Sequence, residues 1–339
     1  MNFKEYIESN RNIIYSEIMK YLRLKEPLEH YAMVRDYSER MGSYRRPGLL
    51  MLCGQMFDAS KDDLLLPAAA MQISEDWILI HDDIEDGSEM RRGRPALHKI
   101  HGFEVALNAG DAVHIAMWKM IKDHLVNVGI ARGSPIYDKF YDMLEFTVEG
   151  QYLDINFMRT HAMRSATEDM YYRIVESKTC YYTVYGPMQL GAMVAGRRGQ
   201  ELEILKEIGE PAGVAFQLVD DILDMTADEK SFGKKRYGDL YEGKLTLIML
   251  HAYQKANNVE KDRIDKIYAK ARHEKSEEEI SFLVEMVKKY KGIEYAKETA
   301  ERYGKRAEKA IEKYRSILPQ NEYTKIMLSA MEELYVRKK

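Results

Sequence analysis

Two cysteines in 339 residues are too few for a disulfide framework, and Cys53 and Cys180 stand too far from each other and from paired histidines to form a zinc motif. A reduced, cytoplasmic chain is the expectation. Long apolar runs are missing as well. No stretch approaches the roughly 18 consecutive apolar residues of a membrane helix, and the opening MNFKEYIESNRNIIYSEI has charges breaking every apolar run, so it shows no signal-peptide core. Glycine and proline are sparse, at 21 and 8, and with 45% hydrophobic residues this excludes collagen-like and disordered classes. Charge of one sign is absent too: 51 basic and 55 acidic residues leave a net charge of -4, so no nucleic-acid footprint covers the surface and any charge-based function is local. A chain this long buries about three quarters of its unfolded surface, enough to fold without a structural metal.

What is present is helical periodicity. Apolar residues recur at spacings of three and four, as in Ile13, Ile14, Ile18 and Tyr21, or Phe140, Met143, Leu144 and Val148, while strand-like alternation is scarce. The eight prolines fall mostly where one periodic segment hands over to the next. The pattern predicts an all-α fold with helices over 2–24, 28–42, 46–57, 62–84, 102–126, 135–159, 167–185, 187–196, 200–225, 243–256, 259–272, 276–289, 292–316 and 320–337. No repeat or low-complexity linker divides the chain, so one domain over 1–339 is expected, its Lys- and Glu-rich last third forming solvated outer helices. Two irregular stretches, Gly87 to Ile100 and Thr226 to Gly243, are rich in cations (Arg91, Arg92, Arg94, Lys230, Lys234, Lys235, Arg236), with Lys244 just beyond. Loops of this length in a helical domain are usually functional.

Each basic loop follows an acidic cluster. Asp82, Asp83 and Asp86 end one apolar helix, and Asp220, Asp221 and Asp224 repeat the spacing in another. Residues four apart share a helix face, so each cluster costs about 0.2–0.5 kcal/mol per like-charged pair and opposes the helix dipole as well. A solvated polar face is the plainer reading of one such cluster, but two with the same spacing, both inside apolar helices, call for compensation. Mg2+ takes hard oxygen ligands, typically one or two carboxylates plus substrate phosphate. Two such clusters with basic loops beside them therefore suit a metal-bound diphosphate.

These residues resemble the trans-prenyl diphosphate synthases, the farnesyl and geranylgeranyl diphosphate synthase family, over nearly the whole chain. The family's first motif, Asp-Asp-x-x-Asp followed by Arg-Arg-Gly, stands as HDDIEDGSEMRRGRPALH from His81 to His98. The second is AFQLVDDILDMTADEKSFGK, Ala215 to Lys234, continuing to GDLYEGK, Gly238 to Lys244, and ESKT at Glu176 to Thr179 matches the family's Lys-Thr pair. The resemblance implies an isoprenoid synthase fold, a helical bundle around a central substrate cavity, and a homodimer. It implies an allylic diphosphate bound through three Mg2+ ions, with Asp82, Asp86 and Asp220 as direct ligands and Asp83, Asp221 and Asp224 near the ions or their waters. Arg91, Lys178, Lys234 and Lys244 would contact that diphosphate, and Thr179 and Gln217 would lie under the reacting carbon. Isopentenyl diphosphate is the implied second substrate.

The chain departs from the family at that second substrate. The usual Gly-Lys-x-x-Arg segment reads Gly42, Ser43, Tyr44, Arg45, Arg46, so Ser43 replaces the lysine while Arg46 remains. Glu75 stands where the family has His or Gln, and Arg92 is retained. A carboxylate beside a diphosphate is unfavourable unless it is paired away or a cation such as Arg45 compensates. The family's product pocket runs beside the first-motif helix, and the positions that close it are Trp77 and Ile78, with Ser74 and His114 bordering; an indole there predicts a short product, C20 or C15. The plainer reading of Trp77 is a core aromatic. Three rivals remain at this point: a terpene cyclase, a prenyltransferase with another acceptor, and a non-catalytic partner subunit, the last disfavoured by two intact acidic motifs. His81 beside Asp82 also suits a metal phosphohydrolase, which would need further histidines, and no histidine follows a Glu by three as in di-iron bundles.

Overall fold

The chain is described by a computed structural model over residues 1–160, 163–226 and 236–335. Among these residues the fold is all-α apart from one small hairpin. The first helices are α1 (Phe3–Tyr21), α2 (Leu28–Glu39), α3 (Arg45–Met56) and α4 (Lys61–Glu85). Strands β1 (Met90–Arg91) and β2 (Arg94–Pro95) follow, then α5 (Leu97–His101), α6 (Phe103–Val128), α7 (Ile130–Thr160) and α8 (Glu168–Val175). A π-helical segment over Glu176–Tyr185 leads to α9 (Gly186–Val194) and α10 (Gln200–Thr226). The remainder is α11 (Gly238–Glu242), α12 (Leu247–Lys255), α13 (Asn258–Tyr268), α14 (Glu277–Lys289), α15 (Gly292–Tyr314) and α16 (Glu322–Tyr335).

Caps explain where many of these helices begin. Asn2, Asn257 and Ser276 each accept the N–H three residues on, and Glu5, Glu260 and Glu279 return the bond, forming capping boxes at α1, α13 and α14. Ser60 caps α4 in the same way, with Asp62 and Asp63 in the first turn. The structure differs from the periodic reading at three places. A short helix, α5, falls at the end of the stretch read as irregular, and Gly102, with φ of 91°, ends it and opens α6 where a helix was expected from 102. The stretch 167–185 changes from α to π geometry after Val175. Pro135, read as a helix start, lies inside α7, which begins at Ile130, whereas Pro67 and Pro211 lie inside α4 and α10 as the ranges 62–84 and 200–225 have them.

The described residues gather into two compact units, each assembled from separated stretches of sequence. The first comprises Met1–Leu144, Thr183–Lys206 and Glu312–Ala330. Its core is α3, buried from Pro47 to Met56, which packs on α4 and α9, and α4 in turn packs along α6. The second comprises Glu145–Tyr182, Glu207–Ile311 and Met331–Lys339, with α12 packed on α14 and α8. No helix among the described residues is long and apolar enough to cross a membrane. Cys53 and Cys180 are both buried and unpaired with each other.

Candidate active site

In the first unit, α4 delivers the first acidic cluster. Asp82 and Asp83 lie in its last turn, and Asp86 caps it, its N–H donating to the Asp82 carbonyl at 2.8 Å. The turn has no basic residue, so its carboxylates face the negative end of the helix dipole. Compensation comes from the hairpin. Arg92 and Gly93 both take left-handed φ, 50° and 76°, the geometry of a two-residue primed turn, and this closes β1 on β2 with Arg91 opposite Arg94. The stretch predicted to be irregular is therefore ordered, though strands of two residues are too short to register as alternation.

The hairpin returns Arg91 to the helix end. Its Nε donates to both Asp83 oxygens at 3.0 Å, and its Nη2 lies 3.5 Å from Asp82 Oδ2. Tyr37, on α2, donates its hydroxyl to Asp83 Oδ2 at 2.6 Å and accepts the Leu97 N–H at 3.2 Å. Asp83 is thus wholly enclosed and holds Arg91 in place, while Asp82 and Asp86 stay half-buried. Burial, and then the Asp83 charge, push the Tyr37 phenol above its ordinary pKa, which keeps it a donor.

In the second unit, α10 delivers the second cluster with a matching build. Asp221 Oδ2 accepts the Tyr171 hydroxyl at 2.8 Å, and Oδ1 accepts Gln217 Nε2 at 2.8 Å. Thr179 completes the chain, donating its hydroxyl to Gln217 Oε1 at 2.7 Å. The bonds fix which way the Gln217 amide faces. Burial first, and then the charges of Asp220 and Asp224, push the Asp221 carboxyl up to about 7. Asp224 caps α11, accepting the N–H groups of Gly238 at 3.1 Å and Asp239 at 3.2 Å, so this aspartate orders the segment leading to Lys244. Lys244 pairs with Glu242 at 2.7 Å. Lys275 closes the other end of α11 by donating to the Leu240 and Tyr241 carbonyls at 3.1 and 2.8 Å.

Lys178 and Thr179 sit on the π segment. The wider π turn is accommodated by glycine on both neighbours: a Cβ on Gly150 of α7 would come within 1.9 Å of Ser177 Oγ, and one on Gly213 of α10 within 2.8 Å of Cys180 Cα. Such π turns recur at functional sites because they turn side chains out of α register. Lys178 Nζ pairs with Asp154 Oδ2 at 2.6 Å. Lys230, Lys234 and Lys235 lie outside the described residues.

The residues read as the second substrate's contacts are together in the first unit. Arg46 reaches Glu75 at 3.1 Å, and Arg92 lies 3.8 Å from the same carboxylate and 2.8 Å from Asp76. Ser43 is exposed beside them, and Arg45 is half-buried. The residues read as limiting product length also meet. Trp77 stacks on His114 with ring centres 3.9 Å apart and planes 11° from parallel, and Trp118 donates its indole N–H to His114 Nε2 at 2.8 Å. Ile78 is half-buried and Ser74 fully buried, its hydroxyl donating to the Met71 carbonyl at 2.8 Å. His81 turns toward α6, with Nε2 3.6 Å from Asp111. Tyr37, Asp76, Trp118, Asp154 and Tyr171 carry no motif signal, since an aromatic or a single carboxylate on an amphipathic helix reads as packing or as surface.

The donor set fits Mg2+. Both clusters offer only carboxylate oxygen, the hard ligand this ion prefers, and Asp83, Asp221 and Asp224 spend their oxygens on protein donors. Among the described residues no three His, Cys, Asp or Glu side chains converge into a closed cage.

Each unit of this helical protein thus carries a carboxylate-bearing helix end braced by a tyrosine, a donor type that suits a hard metal ion. The polyprenyl synthetase family profile matches residues 28–287. Over 260 residues the chain is 32% identical to a geranylgeranyl diphosphate synthase of Methanosarcina mazei, covering 75% of this chain and 77% of that protein. Over 271 residues it is 32% identical to a geranylfarnesyl diphosphate synthase of Aeropyrum pernix, covering 78% and 81%. The crystal structure of a geranylgeranyl pyrophosphate synthetase from Pyrococcus horikoshii matches with a TM-score of 0.86 at 26% identity, over 99% of this chain and 98% of that one. The chain belongs to the polyprenyl synthetase family and has the isoprenoid synthase fold. It is an enzyme of the trans-prenyltransferase type, related to the geranylgeranyl and farnesyl diphosphate synthases.

Proposed function

We propose that the chain, as one catalytic domain over 1–339, is a Mg2+-dependent head-to-tail prenyltransferase that joins isopentenyl diphosphate to an allylic diphosphate and releases geranylgeranyl diphosphate. The observation that carries this reading is the repeated build of the two clusters: in each, the second aspartate is buried under a tyrosine hydroxyl and the first is half-buried. Asp82, Asp86 and Asp220 would supply oxygens to the ions, three per active site by the family resemblance. Bound there, Mg2+ supplies Lewis-acid charge for the departing diphosphate.

The chain's own residues do the rest. Arg91, braced by Asp83, and Lys178, Lys234 and Lys244 hold the allylic diphosphate and balance its charge as the carbon–oxygen bond breaks. Thr179 turns the Gln217 carbonyl dipole toward the electron-poor allylic carbon. The double bond of isopentenyl diphosphate forms the new carbon–carbon bond, and the proton it sheds goes to the released diphosphate. Arg46 and Arg92 bind the second diphosphate in a site that includes Ser43 and Glu75. The Trp77–His114 stack, with Ile78 and Ser74, limits the hydrocarbon.

The names of relatives support the product class without fixing its length, since geranylgeranyl and geranylfarnesyl synthases match at equal identity. The two buried thiols fit a reducing cytoplasm. Ile115 and Val126 on α6 and Ile130 on α7 are exposed apolar side chains, which a second copy of this chain would cover in a homodimer. A transferase with a different acceptor is the second reading, and the Glu75 carboxylate on Arg46 favours it. The test is incubation with Mg2+, isopentenyl diphosphate and each allylic starter (C5, C10, C15), with products identified by mass spectrometry. A C20 diphosphate is expected; cyclised hydrocarbon or an unextended starter would refute the assignment.

A further inference from the structure

Arg46, in the first turn of α3, and Arg92, at the hairpin tip, converge on one oxygen of Glu75. The side chains of Arg46, Glu75 and Arg92 are 19%, 10% and 13% exposed, so the group is largely shielded from water. Packing holds it closely: a Cβ on Gly42 would lie 2.6 Å from Arg92 Nη2. Asp76 beside it is a fully engaged structural carboxylate, accepting Ser38 on Oδ2 and both Arg92 and Gln72 on Oδ1. Glu75 is different. Its Oε1 takes the arginines, while its Oε2 is buried with no hydrogen-bond partner. A carboxylate serving only as an anchor would use both oxygens, as Asp76 and Asp83 do, because an unpaired buried acceptor is costly.

Guanidinium groups bind diphosphate through the same forked N–H donors that a carboxylate takes. A resident carboxylate therefore competes with the incoming anion and also repels it. We propose that Glu75 is a specificity-determining residue of the acceptor site, holding Arg46 and Arg92 in pairs that isopentenyl diphosphate must displace, so that this chain binds its second substrate weakly. The inference rests on the reading of Arg46 and Arg92 as the isopentenyl diphosphate contacts. Ser43 strengthens it, since an exposed serine adds no cation to offset Glu75.

The test measures KM for isopentenyl diphosphate and for geranyl diphosphate in the parent, E75Q and S43K. KM for isopentenyl diphosphate is expected to fall about tenfold or more in E75Q, which keeps the shape and removes the competing charge. It should fall in S43K as well, which adds a cation and leaves Glu75 untouched; S43K carries the test if E75Q does not fold. The change should appear for the acceptor and not for geranyl diphosphate. Elongation with an unchanged or raised acceptor KM in the folded variants overturns the role of Glu75 alone. If no variant elongates while all release diphosphate from geranyl diphosphate, the acceptor reading falls and the Glu75 proposal falls with it.

Discussion

Alanine at Gly213 sets two opposing effects against each other. In a helix interior, alanine is favoured over glycine by about 1 kcal/mol. Against that, the added Cβ would lie 2.8 Å from Cys180 Cα and 2.9 Å from its Sγ, and a backbone atom cannot rotate away. Overpacking of this kind costs about 1–3 kcal/mol, so Gly213→Ala is expected to leave the protein no more stable than the parent and to destabilise it by up to about 2 kcal/mol on balance. The same displacement acts on the site. Gln217 stands one turn beyond Gly213 and accepts from Thr179, the neighbour of Cys180, at 2.7 Å, so pushing α10 off the π segment stretches that bond. A misplacement approaching 1 Å near the chemistry lowers kcat by about tenfold to a hundredfold. Urea unfolding and steady-state kinetics on one preparation read both effects. A variant more stable than the parent with unchanged kcat would refute the close-packing account of the π segment.

Other substitutions test the remaining parts. Asp82→Ala or Asp220→Ala should lower turnover about a hundredfold or more by removing an oxygen that stabilises the leaving diphosphate, and near-normal rates in either would contradict its assignment. Trp77→Ser should lengthen the products, read by mass spectrometry, because it opens the stack on His114; an unchanged product would make Trp77 a packing residue only. Tyr171→Phe leaves Asp221 Oδ2 without its 2.8 Å donor and should cost about 1–3 kcal/mol in urea unfolding together with a fall in kcat. Full stability and full kcat would separate Tyr171 from the Gln217 relay.

The helices were legible because their information is local. Apolar spacing and residues such as Ser60 and Asn257 determine where a helix begins and which face it buries, and both can be read along the chain. The π segment was not legible: a shift from four- to five-residue bonding has no composition of its own and depends on Gly150 and Gly213 in distant helices. The hairpin at Met90–Pro95 has strands too short for alternation, although Arg92-Gly93 carries a turn signal. At the site, the aspartate spacing revealed both clusters. The bracing by Tyr37 and Tyr171 could not be read, because each tyrosine lies 46 or 50 residues from its carboxylate. The pairing of Glu75 was likewise hidden, since it exists only once the hairpin has carried Arg92 back to α4.

The most direct measurement follows inorganic diphosphate released and isopentenyl diphosphate consumed in one reaction with an allylic starter, before and after chelation of Mg2+. The account predicts equal amounts of the two, with both processes stopping on chelation and resuming when Mg2+ is restored. Diphosphate release without consumption of isopentenyl diphosphate, or turnover indifferent to the chelator, would contradict it.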